Sequence, residues 1–224
     1  GNAVSGGYSN HAQDQLKDVD NIQATHAAFA ALTKSGDVVA WGDPFAGGDA
    51  SAVQNQLKNV KQIQATNAAF TALRVDGSCV AWGNPQSGGV LGQELLEVQQ
   101  LQATSGAFAA LCADGSVVTW GGSTSGGDSA HVTEMLTNVK QIQATKYAFA
   151  AIRDDGSVVS WGLPLYGGGN GPTGALIDPT QATCSVQSTD GAFAALLRDG
   201  GIATWGHSQY GGDSSGVQEM LKYF

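Results

Sequence analysis

The sequence is poor in charge, and above all in positive charge. Of its 224 residues only 13% are charged, and ten Lys and Arg face 19 Asp and Glu, which gives a formal net charge of −9. Nucleic-acid binding depends on clustered basic side chains that contact phosphates. Because the basic residues here are few and scattered, the composition argues against a nucleic-acid partner, and against an anionic membrane surface for the same reason.

Cysteine, histidine and long apolar runs are also scarce. The cysteines are Cys79, Cys112 and Cys184, an odd number without CxxC spacing, which predicts buried or half-buried free thiols. The histidines are His11, His26, His131 and His207. Each lies at a different repeat position, so their spacing predicts no metal site. No apolar run approaches the ~20 residues of a membrane-spanning helix, and we expect no direct membrane insertion.

Glycine and apolar residues, by contrast, are abundant. The chain has 32 Gly, only five Pro and 42% hydrophobic residues. Much glycine with little charge favours tight turns between buried strands over disorder. The length allows one all-β domain or two smaller ones, and an internal repeat favours one domain covering 1–224.

That repeat occurs five times and ends in Trp-Gly. Each copy reads Gln-apolar-Gln-Ala-Thr, two variable residues, Ala-Phe-x-Ala-Leu, a turn, then Val-Val-x-Trp-Gly, with a looser first segment in the fifth copy. The tryptophans are Trp41, Trp82, Trp120, Trp161 and Trp205, separated by 41, 38, 41 and 44 residues. The repeats span approximately 1–41, 42–82, 83–120, 121–161 and 162–205, with a partial copy at 206–224.

Each repeat predicts three antiparallel strands. An Asp-Gly pair such as Asp76-Gly77 separates the last two apolar segments and predicts a type I′ hairpin turn. The strands are apolar on both sides, so both faces must be covered by neighbouring copies. Radial stacking of small antiparallel sheets is a β-propeller, which we favour over a flat solenoid with two exposed apolar ends.

The linker between repeats has a pattern of its own. Ser51 and Gln54 have the spacing of a capping box, and Val53 and Leu57 have i, i+4 spacing. The pattern favours a single helical turn over an irregular fourth strand, so each blade is predicted to have three to four strands.

The repeat resembles that of the regulator of chromosome condensation family. The resemblance rests on Leu-x-Asn-Val-x-x-Ile-x-Ala followed by Ala-Leu-x-x-Asp-Gly-Ser-Val-x-x-Trp-Gly, and it covers nearly the whole chain. The short repeat period resembles that of the subgroup that includes the β-lactamase-inhibitor propellers. The amino-acid sequence of the repeat resembles the repeat arrays of dinoflagellate algae. The family implies a propeller, usually seven-bladed, that binds other proteins.

Two features depart from the family pattern. Family members usually have Gly-x-x-His before the second strand, where every copy here has Thr-x-x-Ala, such as Thr66 to Ala69. The copies also number five, so the chain either forms part of a larger, seven-bladed ring, which we favour, or closes with five blades. Gly1 corresponds to the glycine after Trp in other copies, so we expect the native N-terminus to lie upstream.

No motif predicts catalysis. The repeated aspartates of the Asp-Gly pairs are explained by tight turns, and Asp49, Asp128 and Asp213 after Gly-Gly suit linker turns better than calcium ligation. The glycine pairs lack the patterns of phosphate-binding loops. We therefore expect no enzyme activity, no cofactor and no metal.

Loop residues indicate a binding surface instead. In a blade of three strands, the loop after the first strand and the loop after the third lie at the same end. These loops vary between copies and carry large apolar or aromatic residues, namely Phe45, Tyr147, Leu163, Leu165, Tyr166 and Tyr210. Such residues are typical anchors of protein interfaces. The pattern predicts a non-catalytic scaffold that binds a protein partner.

Two other functions are compatible with the sequence. A carbohydrate-binding propeller would repeat exposed aromatic residues at equivalent positions, whereas Phe70, Trp82 and their counterparts lie within apolar strands. A structural subunit of a large assembly, photosynthetic if the algal resemblance holds, rests on analogy. The sequence leaves the partner and the compartment open.

Overall fold

The chain folds into five small β-sheets in sequence order. The computed structural model describes residues 9–10, 12–169 and 182–217. The strands are β1 (Val19–Ala24), β2 (Ala28–Thr33), β3 (Val38–Gly42), β4 (Val60–Ala65), β5 (Ala69–Arg74), β6 (Cys79–Gly83), β7 (Val98–Ala103), β8 (Ala107–Cys112), β9 (Val117–Gly121), β10 (Val139–Ala144), β11 (Ala148–Arg153), β12 (Val158–Gly162), β13 (Thr183–Ser188), β14 (Ala192–Leu197) and β15 (Ile202–Gly206). Consecutive triplets form antiparallel three-stranded sheets, which we call blades 1 to 5.

Neighbouring blades stack through both of their apolar faces. We call the face of a blade that meets the next blade in sequence its forward face, and the face that meets the preceding blade its rear face. The forward face of blade 1, with Ala30 and Leu32, packs against the rear face of blade 2, with Ile63 and Phe70. The first strands meet along the inside, since β4 contacts β1 and β7, and β10 contacts β7 and β13. This is the radial arrangement of a β-propeller, so the predicted all-β fold and its five blades are confirmed.

A stacked pair of aromatic rings fills each rear face. In blade 4 the rings of Phe149 and Trp161 lie 5.4 Å apart at 24°, and both side chains are fully buried. The indole N–H of Trp161 donates to the Gly126 carbonyl oxygen, at 3.0 Å, in the linker that leaves blade 3. The repeated Phe and Trp therefore build the junction between blades, as their place in apolar strands predicted.

The Asp-Gly turns differ from the predicted type I′. In blade 2 the Gly77 N–H donates to the Arg74 carbonyl and the Arg74 N–H to the Ser78 carbonyl, and Gly77 has φ of 82°. The φ angle of Asp76 is not positive, as a type I′ turn would require. The loop is thus a type I turn followed by a left-handed glycine. The type I′ prediction is wrong because Asp76 accepts hydrogen bonds from the Ser78 hydroxyl and N–H, which also lower the pKa of its carboxyl.

The linkers contain short 3-10 turns. The turns are Pro44–Ala46, Gln54–Gln56, Pro85–Ser87, Ser123–Ser125, Ala130–Met135, Pro164–Tyr166 and Ser208–Tyr210. The predicted helical turn near Val53 is confirmed, but the capping box is not formed. Asp49 accepts the Ser51 N–H instead, and the Gln54 amide donates to the Val38 carbonyl of β3.

The aspartates after Gly-Gly cap their own linkers. The Oδ1 atoms of Asp49, Asp128 and Asp213 each accept a backbone N–H two residues on, at 2.9 Å. These bonds are the turn bonds that the sequence predicted for them.

The three cysteines are free, and they differ in exposure. Cys79 and Cys112 are half-buried, and burial raises the pKa of Cys79 to about 12 and that of Cys112 in the same direction. Both thiols therefore stay protonated at neutral pH. Cys184 is exposed, so the prediction of buried or half-buried thiols is wrong at that position because the outward side of β13 faces solvent.

Two buried hydroxyls lack partners among the described residues, Thr71 Oγ1 and Thr183 Oγ1. Equivalent positions carry Ala or Val in the other copies. We expect Thr71→Val and Thr183→Val each to raise the free energy of unfolding by about 1 kcal/mol, because the valine keeps the volume and removes an unsatisfied polar group. Urea unfolding followed by tryptophan fluorescence measures the change.

A reverse substitution provides the control for this prediction. Val98 occupies in blade 3 the position of Thr183, and it is 2% exposed. Val98→Thr should lower stability by a similar amount. Lower stability of both threonine-to-valine variants would show that the two hydroxyls are satisfied in solution.

Candidate functional site

The two variable loops of each blade lie together at one end, which we call the upper face. A threonine at the end of the first strand joins them. In blade 2 the Thr66 Oγ1 accepts the Ala69 N–H at 3.0 Å and donates to the Ser87 carbonyl oxygen at 3.0 Å. Thr25, Thr104, Thr145 and Thr189 make the same two kinds of bond in the other blades. The predicted placement of both loops at one end is confirmed. The threonine of the Thr-x-x-Ala motif is explained by these hydrogen bonds, which join the short loop to the long loop of the same blade.

The short loops are tied to each other across the blades by their main chains. The N–H of the first loop residue donates to the carbonyl of the corresponding residue in the next blade, at 2.8–2.9 Å. The series runs through His26, Asn67, Ser105, Lys146 and Asp190. Sequence reasoning missed it, and no residue pattern could have revealed it, because peptide groups form the bonds.

Four rings gather on the upper face of blades 4 and 5. Tyr147 and Tyr166 meet edge to face at 4.8 Å between ring centroids, and His207 and Tyr210 do the same at 5.1 Å. Tyr166 joins the two pairs, at 6.4 Å from both His207 and Tyr210. We call these four residues the tyrosine cluster. The structure thus brings together three of the six residues that the sequence singled out.

Matched loop positions explain how these rings fit. The second residue of the short loop lies next to the last residue of the 3-10 turn in the long loop. In blade 4 these two residues are Tyr147 and Tyr166. In blade 5 the short loop has Gly191 at that position, where a Cβ would lie 2.8 Å from the Tyr210 ring. The small residue therefore leaves the space that the Tyr210 ring occupies.

The tyrosine cluster combines buried and exposed surface. Tyr166 packs partly into the core between blades 4 and 5, whereas Tyr210 is 44% exposed. Leu165, next to Tyr166 in the turn Pro164–Tyr166, is 59% exposed. Leu163 is half-buried at the start of that turn. The rings are thus held from below while Leu165 and Tyr210 face solvent.

Polar groups border the tyrosine cluster on the side of the short loops. The Lys146 ammonium lies 5.6 Å from the centroid of the Tyr147 ring, a cation–π contact. Lys146 also lines, with Asn67, Ser105 and Asp190, a recess of about 450 Å³ between the short loops. Sequence reasoning missed Lys146 and His207 as neighbours of the tyrosines; their positions in the same variable loops were the available signal.

Phe45 lies apart from the tyrosine cluster. It is 83% exposed on the long loop of blade 1, and it lines a groove of about 540 Å³ with Val53, Trp82, Val90 and Leu91. The linker after blade 2 belongs to the shortest repeat interval, 38 residues, and it has no counterpart of the 3-10 turn found at Gln54–Gln56. Phe45 therefore belongs to a different surface.

The described ranges hold neither a metal-binding group nor a membrane-spanning helix. In residues 9–10, 12–169 and 182–217 no three His, Cys, Asp or Glu side chains form a metal-binding group. In the same part of the chain, no helix has the length and hydrophobicity needed to cross a membrane.

Comparison with known proteins identifies the fold. No family model and no curated protein matches the chain. Human WBSCR16 is 18% identical with a TM-score of 0.57, covering 84% of this chain and 61% of that one. Prp20p of Saccharomyces cerevisiae, called RCC1 of yeast, is 19% identical with a TM-score of 0.57, covering 86% and 58%.

A plant protein shows the same likeness. The ectodomain of the receptor kinase CR4 of Physcomitrella patens is 18% identical with a TM-score of 0.56, covering 84% of this chain and 52% of that one. The chain therefore spans between 52% and 61% of these three structures. It has the fold of regulator of chromosome condensation-type propellers, as its repeat indicated.

Proposed function

We propose that the chain is a non-catalytic interaction module that binds one protein partner through the tyrosine cluster and Leu165. The observation that carries this proposal is the gathering of three tyrosines beside an exposed leucine, on loops whose backbones are held by hydrogen bonds. Tyrosine gives large contact area with few rotatable bonds, and it is enriched among residues that dominate interface energies.

The position of the cluster favours one large partner over repeated small ligands. The rings occupy blades 4 and 5, and the corresponding loops of blade 2 carry Asn67, Ala68 and Ser87. The aromatic residues that do recur in every blade, such as Phe70 and Trp82, are buried in the core. A surface that differs from blade to blade suits an irregular protein surface.

Structural neighbours support protein binding as a general use of this fold. The work on Prp20p describes its binding to Gsp1p and to histones, and a second structure contains yeast RCC1 bound to Kap60. Those partners belong to those proteins. With a net charge of −9, we expect a partner that tolerates or complements an acidic surface.

A pair of matched variants tests the proposal. Affinity capture from the source organism identifies proteins that bind the wild type, and calorimetry then measures their affinities with purified components. We expect the double variant Leu165→Ala/Tyr210→Ala to bind the captured partner about tenfold to a hundredfold more weakly than the wild type does, because both side chains are exposed anchors. Thermal unfolding should remain close to that of the wild type.

Phe45→Ala is the control for this experiment. Phe45 is a more exposed aromatic residue at a separate surface, so its removal should leave the affinity unchanged. If the double variant binds as the wild type does, or if Phe45→Ala abolishes binding instead, the proposed surface is wrong.

A further inference from the structure

The groove beside Phe45 runs along the outer edge of β6, the last strand of blade 2. Its floor is the strand itself, Cys79–Gly83. One wall is formed by the linker before blade 2, with Val53, and the other by the linker after it, with Val90 and Leu91. Phe45 and Val90 are both exposed, at 83% and 59%. We call this space of about 540 Å³ the Phe45 groove.

The edge of β6 that faces the groove carries main-chain groups without partners. Among the described strands, β6 pairs with β5 only. The Arg74 N–H donates to the Ser78 carbonyl at the start of this ladder. Because the bonds of an antiparallel ladder alternate along the strand, the N–H and C=O groups of Cys79 and Ala81 point away from β5. No described residue forms a hydrogen bond with these outward groups.

In blade 1 the chain itself occupies the equivalent place. Val38 corresponds to Cys79, and it is 1% exposed. The Gln54 amide, in a 3-10 turn of the following linker, donates to the Val38 carbonyl at 3.0 Å. Val53 packs against the core cluster that contains Val38. The linker after blade 2, which the structure describes throughout, has no such turn, and Cys79 is only half-buried. The edge of β6 is therefore open where that of β3 is bonded.

The chemistry of the Phe45 groove indicates the kind of occupant. Unpaired N–H and C=O groups at alternate residues of a strand edge are matched by the main chain of another extended segment. Since both walls carry apolar side chains, that segment must be apolar on both of its sides, as the strands of the blades are. Among the described residues that line the groove, Asp49 is the one charged residue, which favours a basic residue beside the apolar segment.

We propose that the Phe45 groove binds an extended, apolar segment of another protein as a fourth strand of blade 2. The main chain of the segment pairs with Cys79 and Ala81, and its side chains contact the two apolar walls. The edge closes at Gly83, because Gly89 packs so tightly there that a Cβ on it would lie 2.3 Å from the Gly83 carbonyl oxygen. The strand has five residues, so a segment of about five residues fits. This site is separate from the tyrosine cluster and does not depend on the partner proposed for it.

Short peptides test the proposal with the full chain. The probes are acetylated and amidated heptapeptides Lys-Val-x-Val-x-Val-Lys, with Ala, Val or Leu at x and with terminal lysines that suit Asp49. Calorimetry should show one-to-one binding that saturates below ~1 mM for at least one of them. The double variant Phe45→Ala/Val90→Ser should bind that peptide at least about tenfold more weakly, because it removes exposed apolar contacts from both walls.

The matched control is Leu165→Ala/Tyr210→Ala, which also removes two exposed apolar side chains but lies on the upper face. It should bind the peptide as the wild type does. Loss of peptide binding in this control would place the site on the upper face and overturn the proposal.

Two N-methylated forms of the tightest peptide separate strand pairing from side-chain contact alone. Alternate residues of a paired strand direct their N–H groups toward the neighbouring strand. Methyl groups on the nitrogens of the second and fourth residues, or of the third and fifth, therefore remove different donors. One form should bind at least about tenfold more weakly and the other within about threefold of the parent peptide. Hydrogen exchange followed by NMR should show the Cys79 and Ala81 amides slowed by the peptide.

Three results would overturn the proposal. Equal affinities of the two methylated peptides, with unchanged exchange at Cys79 and Ala81, would mean that the groove takes side chains without strand pairing. Failure of every peptide to saturate below ~1 mM would exclude the segment. A chain mass that doubles with concentration in sedimentation, and returns to that of one chain when peptide is added, would make a second copy the occupant.

Discussion

Phe149→Ala should lower the free energy of unfolding by about 3–5 kcal/mol, because it leaves a cavity in a junction covered on both sides. Phe149 is 0% exposed, and its ring stacks on Trp161 and lies against the backbone of Gly126. The loss includes the transfer of a large apolar side chain and the contacts of the partners that remain. Chemical unfolding monitored by far-ultraviolet circular dichroism measures this change.

Phe29→Ala provides a control, because it removes the same side chain from an equivalent ring pair that is less deeply buried. Phe29 stacks on Trp41 at 5.4 Å, as Phe149 does on Trp161, but it lies on the rear face of blade 1 and is half-buried. Its loss should cost about half as much or less, since cavity energies depend on how much surrounds the site. Equal losses at dilute concentration would show that both faces of blade 1 are covered in solution.

Gly126→Ala should be the second severe substitution, with a loss of about 3 kcal/mol or more. Two causes combine at this residue. Gly126 has φ of 91°, a conformation that costs an alanine about 1–2 kcal/mol. The new Cβ would also lie 2.7 Å from Phe149 Cδ2 and push the stacked rings out of place.

Gly211→Ala separates these two causes. Gly211 occupies the same position after blade 5, with φ of 96°, and a Cβ there meets nothing within 4 Å. Its substitution should cost only the backbone strain, about 1–2 kcal/mol. Thermal unfolding of both variants at low concentration measures the difference, and equal losses would mean that the ring contact at Gly126 has no energetic weight.

The residues that recur in every copy allowed most of the fold to be predicted. Phe70 and Trp82 appear at fixed spacing in apolar strands, and burial of such residues on both sides of a sheet leaves few architectures. The turn type was misjudged because Asp76-Gly77 also begins an Asx turn with Ser78, and two residue types alone do not distinguish the two conformations.

The candidate site was predicted less completely, for a different reason. Topology alone placed Tyr147, Tyr166 and Tyr210 at one end of adjacent blades, and the structure brings them together. Phe45 satisfied the same argument but lies three blades away from Tyr166, because a loop position fixes the end of the blade and not the neighbours around the ring. Only coordinates supply that distance.

The main-chain bonds between short loops set an unusual rule for sequence change on the upper face. Asn67, Ser105 and Lys146 occupy one structural position with side chains of different size and charge, and each is joined to the short loops of the adjacent blades through its N–H and carbonyl. Proline is the single coded residue without that N–H. Selection at these positions can therefore act on recognition almost independently of stability, so one scaffold can acquire new specificities by exchange of exposed side chains.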